Sequence, residues 1–387
     1  MNNKLDTVLK GYLFAYLNEF NANSEFCIDK KNRKSYKEFK IKQVARYLNV
    51  PSKFFHFFSF FSLILSKFEV IIYIIILFVK FFIYTFQYVF SERKSISNKY
   101  IMLGLNLAND RFVNILKSAN IDIDNVVIVK LPSIKSDYNG FEKVNMFSGI
   151  NYSELFYSFI YAIKVSFIMK KKYGNRDLMF RSYTSFEYFL SFFYLKRSDT
   201  SNDYYFVSLL DRWAYLSRYI KKNKCLIQHG ILYENMKIKK IGDVDIAYYI
   251  NEKQRFICEK SLLTNKPKAY YRSSIKFSSN NKLLNNGLKN VLLICNKFFF
   301  EKENKIINDL GKRNLNLYIK PHPVDKDITV YTNLLKENDF MILDQKDFPK
   351  VDFAISYVST LADEYESEGV KVLRYDDDDF DFLFNGL

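Results

Sequence analysis

The stretch "DYYFVSLLDRWAYLSRYIKKNKCLIQHG", residues 203–230, decides the fold. It opens on an apolar, aromatic run (203–211), passes through a segment with helical spacing (212–220), and ends on a second apolar run, Cys225 to Gln228. Strand–helix–strand alternation of this kind argues for a parallel sheet covered by helices.

Working outward, the same alternation runs upstream to Tyr100. "YIMLGLNL" (100–107) reads as a strand followed by a helix from about Asp110, and "NVVIVKLP" (125–132) as the next strand. A long amphipathic helix follows near 151–172, then a strand in "DLMFRSY" (177–183) and a helix near 184–195. Downstream the pattern restarts near Asn290. "NVLLIC", "NLYIKPHP", "FMIL", "VDFAISY" and "VKVLRY" read as strands, with helices in "EKENKIINDLGKR", after about Asp327, and in "TLADEYESEG". Residues 236–285 are mixed and mostly polar apart from "VDIAYYI", and are expected to hold the linker. The expected fold is therefore α/β, with two Rossmann-like domains at 98–235 and 286–387 facing a shared cleft, where the carboxyl edges of open parallel sheets bind ligands.

Ahead of these halves lies a basic, helical region (1–53) and then the most hydrophobic segment, 54–92. Val70 to Phe90 is long enough, as a helix of about 32 Å, to cross a bilayer. Lys80 near its middle would cost roughly 2.5 to 3.5 kcal/mol there. Both flanks are basic, which argues against a single span. A membrane-associated hairpin with arms 54–66 and 70–90, or a segment lying on an anionic leaflet, avoids that conflict. A buried core helix pair is the competing reading.

The net charge of +16 draws the chain to polyanions. No zinc finger, RNP-like strand or helix-turn-helix signature is present, so nucleic acid is not an expected partner. Cys27, Cys225, Cys258 and Cys295 are scattered without a CxxC pair, so no metal site is expected, and the acidic run Asp376–Asp379 reads as a solvated tail.

Two of only three histidines close strand-like runs: His229 in "CLIQHG" and His322 in "YIKPHP"; the third, His56, lies in an apolar run. Ser356, Ser359 and Thr360 stand just before or at the start of a predicted helix. Its N–H groups and partial positive charge can hold a phosphate; ordinary N-capping is the competing reading. Lys320 and His322 at a neighbouring strand end supply charge and a donor, and Glu364 can accept ribose hydroxyls. His229 is suited to deprotonate an acceptor hydroxyl. Gly230 gives that histidine space, and Asp211 can orient it or cap the next helix. Arg212 and Gln228 belong to the same acceptor side.

The order "LLDRWAYLSRYIKKNKCLIQHG", "KPHP", "SYVSTLADEYESEG" resembles bacterial two-Rossmann (GT-B) glycosyltransferases of the capsule, lipopolysaccharide and teichoic-acid group, over roughly 200–375. That group includes CDP-glycerol glycerophosphotransferases, sialyl- and polysialyltransferases and capsule Kdo transferases. The resemblance implies that His322, Ser359 and Thr360 hold the donor's phosphates, that Glu364 contacts the nucleotide, and that His229 is the base or an acceptor-site residue. Two features depart from the pattern. Tyr357-Val358 stands where an acidic residue often precedes the Ser pair, and the long C-terminal bracing helices are expected to be missing or reduced.

The expected activity is metal-independent transfer of a sugar from a nucleotide-activated donor to a lipid-linked or cell-surface glycan. It would take place at the cytoplasmic face of a bacterial inner membrane, with no cofactor beyond the donor itself. A CDP-polyol phosphotransferase, a nucleotide-sugar 2-epimerase and a non-catalytic assembly scaffold are the alternatives.

Overall fold

The computed structural model describes residues 2–26, 69–92, 100–104, 109–132, 138–173, 184–198, 202–207, 209–232, 234, 236–272, 277, 283–295, 299–322, 328–335, 339–344, 347–357 and 359–375. They divide into two compact units, Met1–Arg272 and Ser273–Leu387.

The first unit is built on seven strands: β1 (Tyr100–Leu103), β2 (Val126–Lys130), β3 (Glu142–Asn145), β4 (Tyr204–Phe206), β5 (Lys224–Ile227), β6 (Ile246–Tyr249) and β7 (Lys268–Tyr271). They pair in the order β3-β2-β1-β4-β5-β6-β7, every neighbour parallel. A parallel sheet covered on both faces needs apolar residues on both sides of each strand. The "VVIV" of β2 and "CLI" of β5 are buried throughout. The helices are α1 (Asn2–Phe26), α2 (Glu69–Val89), α3 (Asn109–Ser118), α4 (Tyr152–Tyr173), α5 (Ser185–Arg197), α6 (Arg212–Leu216) and α7 (Glu252–Ile257).

The second unit carries β8 (Asn290–Ile294), α8 (Phe300–Leu310), β9 (Asn316–Lys320), α9 (Thr329–Leu334), β10 (Met341–Ile342), β11 (Phe353–Ser356), α10 (Thr360–Ser367) and β12 (Lys371–Arg374). Its parallel sheet has the order β10-β9-β8-β11-β12. Alternation along β8 divides its side chains between two cores. Val291 and Leu293 pack with Ile306, Ile307 and Leu310 of α8, while Leu292 and Ile294 pack with Ala362 and Tyr365 of α10. Both faces are covered, as a doubly wound sheet requires.

Residues 236–285, read above as a linker, carry β6, α7 and β7, and the first unit runs to Arg272. Their polar composition has a physical source: β7 is an edge strand, exposed at Lys268, Tyr270 and Tyr271. The strand expected at 177–183, the apolar arm 54–66, His56, Cys27 and the acidic run 376–379 lie outside the described residues.

The N-terminal helix is part of the first unit rather than a separate region. Asn18 of α1 exchanges hydrogen bonds with the backbone of Lys239, its Nδ2 donating to the carbonyl (2.8 Å) and its Oδ1 accepting from the N–H (2.7 Å). The same Nδ2 also reaches the Tyr215 hydroxyl (2.6 Å). Gly11 is required by close approach, since a Cβ there would strike the Tyr219 ring.

The described part of the hydrophobic segment forms α2, and its inner side packs into the first unit. Among the described residues, no helix is long and apolar enough to cross a membrane. Instead α2 packs along α4, with Phe78 and Phe81 against Phe159 (ring centroids 4.9 and 4.7 Å). Lys80 points into the protein, 3.9 Å from the buried carboxylate of Glu187 on α5, and Tyr84, one turn on, donates to that carboxylate at 2.9 Å. Burial lowers the Lys80 pKa, Glu187 opposes that shift, and the Arg212 charge adds to it.

Two outcomes follow from this packing. Glu187→Ala leaves a buried ammonium without its counter-charge and is expected to cost about 3 kcal/mol in urea denaturation, whereas Glu187→Leu combined with Lys80→Met costs less. Burial, assisted by Glu259, pushes the Cys258 thiol up from 9.0 to about 12. Its folded value lies above the unfolded one, so its contribution is complete below pH 9. Above that it declines by roughly 1.4 kcal/mol per pH unit until about pH 12. Urea midpoints measured across that range, with Cys258→Ala as control, check this.

Candidate functional sites at the two sheet edges

Where the order of a doubly wound sheet reverses, the helices leaving adjacent strands go to opposite faces and open a crevice at the carboxyl ends. In the first unit the reversal lies between β1 and β4; in the second it lies between β8 and β11. The sequence-predicted residues distribute over these two edges.

In the second unit, Ser356 ends β11 at the reversal. It lies one residue past the Ile355–Leu293 pair and is level with Arg374 of β12, while Ile294, one residue past Leu293, pairs with Lys320 of β9. Strand alternation puts Ser356 on the face of Ala354, which α10 covers. Its side chain is buried, and its hydroxyl has no hydrogen-bond partner. A buried hydroxyl left unpaired costs about 1–3 kcal/mol, so it marks a place where a polar ligand would be welcome. Ser359 is the N-cap of α10, its Oγ accepting from the Leu361 N–H at 3.2 Å. That is the ordinary capping geometry, and it leaves the hydroxyl proton of Ser359 for an outside acceptor. Thr360 is the first helical residue and Glu364 lies one turn further, both half-buried. His322 follows Pro321 beyond the end of β9 and is half-buried.

Lys320 has a different task from the expected one. It is buried, its Nζ donates to the carbonyls of Asp344 (2.8 Å) and Asp347 (2.6 Å), and it stands 4.3 Å from the Phe348 ring. The ammonium pins the loop after β10 to the end of β9, and so stiffens the strand end that carries His322. Its charge is directed at those carbonyls rather than at a phosphate.

In the first unit, His229 follows the end of β5 and is half-buried. Gln228 is fully buried and is a clamp rather than an acceptor contact. Its Nε2 donates to the Gly230 carbonyl (2.8 Å) and to Gln254 Oε1 (2.7 Å), and its Oε1 accepts from the Ile250 N–H (3.2 Å). Gln254, on α7, also takes both backbone groups of Leu232, the N–H at 2.9 Å and the carbonyl at 3.1 Å. Two side-chain amides therefore fix the loop 228–232 on which His229 stands. Gln254 was hidden from the sequence reading because α7 fell within the supposed linker. The one available signal was a Gln spaced inside a helical turn after "AYYI".

Gly230 has a φ outside the left-handed region, and a Cβ there would meet open space. The fold does not demand glycine at this position, so the space beside His229 is real. Asp211 is the N-cap of α6, its Oδ1 accepting from Trp213 N (2.8 Å) and Ala214 N (3.1 Å). Arg212 lies 4.4 Å over the Trp213 ring, and its charge is felt by Lys80. Among the described residues, no cluster of three or more His, Cys, Asp or Glu is placed to hold a metal ion.

No family model matches the chain, and no curated protein matches it. Among solved structures, a variant of the wall teichoic acid polymerase TagF soaked with CDPG is similar at 11% identity and a TM-score of 0.36, over 80% of this chain and 81% of that one. At that level of likeness, function has to be argued from this chain's own residues.

Gln254→Leu strands the Leu232 backbone groups and one Gln228 N–H in a buried site, and is expected to lower stability by about 2–4 kcal/mol in chemical denaturation. Gly230→Ala is expected to stay within about 0.5 kcal/mol of the parent in the same measurement.

Proposed function

We propose that the chain is a transferase that moves a group from a nucleotide-activated donor to a hydroxyl acceptor, with the second unit holding the donor's phosphates. The observation that carries this reading is Ser356: a buried, unpartnered hydroxyl at the reversal point of a parallel sheet, three residues before the N-cap of α10. A phosphate oxygen there would receive the Ser356 and Ser359 hydroxyls and the partial positive charge of the helix start. His322 supplies a further donor, and Glu364 accepts from the ribose.

In this reading His229, on its clamped loop, takes the proton of the acceptor hydroxyl. The acceptor oxygen forms a bond to the anomeric carbon of the donor sugar. The bond from that carbon to the nucleotide's phosphate oxygen breaks, and its electron pair stays on the phosphate. The donors around Ser356 then meet the charge of the leaving nucleotide. A CDP-activated polyol phosphate would use the same groups, with attack at phosphorus and CMP leaving. The acceptor is a lipid-linked or cell-surface glycan.

The test is thermal stabilisation of the purified protein by CMP, CDP, UDP, GDP and dTDP. One nucleotide is expected to stabilise it. Ser356→Ala and His322→Ala should each weaken that binding about tenfold. Ser356→Ala carries its own control, because removing an unpaired buried hydroxyl leaves the nucleotide-free protein as stable as the parent or slightly more so. With the donor so identified, His229→Ala is expected to lower turnover on the order of 10²- to 10⁴-fold with donor binding retained. No stabilisation by any nucleotide, in protein shown to be folded, sinks the reading.

A further inference from the structure

We infer that the outer face of α2, continued by α4, is an interfacial docking surface for a bilayer carrying anionic headgroups. The helix lies in the plane of the interface and does not span it.

The buried side of α2 is fixed. Tyr73, Leu77, Lys80, Tyr84 and Tyr88 recur at spacings of four, three, four and four and face the protein, with Lys80 and Tyr84 both held by Glu187. The helix therefore cannot roll to hide its opposite side. That opposite side is apolar for five turns. Ile75, Phe78, Phe82, Ile83, Phe86 and Phe90 are exposed, the last at 70% and Phe82 at 69%. At 100° per residue the exposed apolar positions cover roughly 140° of the helix. Gln87 is the one polar residue among the exposed positions described on this helix.

The apolar surface passes onto α4, which runs antiparallel alongside, with Tyr88 against Tyr152 and Phe81 against Phe156. Both Tyr152 and Phe156 are exposed. Further along the same stripe of α4, past Lys164, whose ammonium is paired with Asp6 of α1 at 2.5 Å, the exposed residues become Phe167, Lys170 and Lys171. Aromatic residues at one end and lysines at the other are what a headgroup boundary takes up: rings at the acyl border, ammonium groups at the phosphates. The chain's charge of +16 adds long-range attraction to an anionic surface.

Composition separates this occupant from a protein partner. Specific protein interfaces are only about 56–58% apolar, and they carry roughly one hydrogen bond per 100–200 Å². The α2 part of this face offers one exposed polar side chain, Gln87, whereas lipid demands none. The inference stands apart from the transferase reading, because it uses no residue of either sheet edge.

The experiment is flotation of the full chain with vesicles of neutral phosphatidylcholine, alone or with phosphatidylglycerol. Binding is expected on the anionic vesicles, weaker on the neutral ones, and reduced by salt. Phe82→Glu with Phe86→Glu is expected to lower the partition coefficient at least about tenfold while keeping the parent's melting temperature, both side chains being exposed. Phe82→Trp is expected to show a blue-shifted emission on vesicles. Absence of binding by the parent, or undiminished binding by the double variant, overturns the inference. A dimer in light scattering that the double variant dissolves would assign the face to a second copy of the chain instead.

Discussion

Both sheets are wholly parallel among the described strands, and the rest of the architecture depends on that constraint. A parallel pair cannot be closed by a tight turn, so each connection has to leave the sheet and cross back, usually as a helix. The helices cover the faces, the strands become apolar on both sides, and the carboxyl ends collect along one edge. Reversal of the winding at β1 and again at β8 then leaves a gap in the helical cover beside those strands. Ser356 stands at one such gap, and the loop of His229 follows the strand next to the other. The polar groups at these edges are supported by residues that do no chemistry of their own. Lys320 spends its charge on loop carbonyls, and Gln228 and Gln254 spend their amides on a five-residue loop.

The strands that the sequence declared most plainly were those whose burial is two-sided, although the edge strands β10 and β12 were also read, from "FMIL" and "VKVLRY". "NVLLI", "NLYIK" and "VVIVK" cannot be mistaken, because the sheet requires apolar side chains in both directions. The strands missed were those at edges. β3 reads "EKVN" and β7 reads "KAYY", since one flank of each meets solvent and their composition follows. Missing β7 also hid β6 and α7 and turned two of the seven strands into a linker. At the sites, residue type was legible and role was not. A lysine before Pro-His reads equally as a phosphate ligand or a loop pin, and burial decides for the pin. The unpaired state of the Ser356 hydroxyl is a property of its surroundings and has no trace in the sequence.

The tyrosine-rich composition has a structural use. Tyr84 donates to buried Glu187, and Tyr331 donates to buried Glu303 at 2.9 Å. Tyr204 and Tyr365 donate to the carbonyls of Trp213 and Pro349, both at 3.0 Å. Each ring fills core volume while its hydroxyl satisfies a buried acceptor, a combination that Phe cannot offer. Charged and main-chain groups can therefore lie deep in the protein without being stranded. The same burial raises the hydroxyl pKa of Tyr204 and Tyr365, which keeps these donors protonated through the neutral range.

The segment around α2 shows why hydropathy summed over a window misleads. A mean value treats Lys80, Tyr73, Tyr84 and Tyr88 as flaws in an otherwise apolar span. Their spacing shows that they share one side, and the structure turns that side inward to Glu187. The helix is thus amphipathic in the inverted sense, with its polar-bearing stripe buried and its fully apolar stripe outside. Such an arrangement is unfavourable in water, where each exposed ring forgoes the gain of burial. It becomes favourable once a second apolar medium meets that face. The carboxylate of Glu187 is therefore what ties the interior to the surface: by holding Lys80 and Tyr84 inside, it commits Phe82 and Phe86 to the outside.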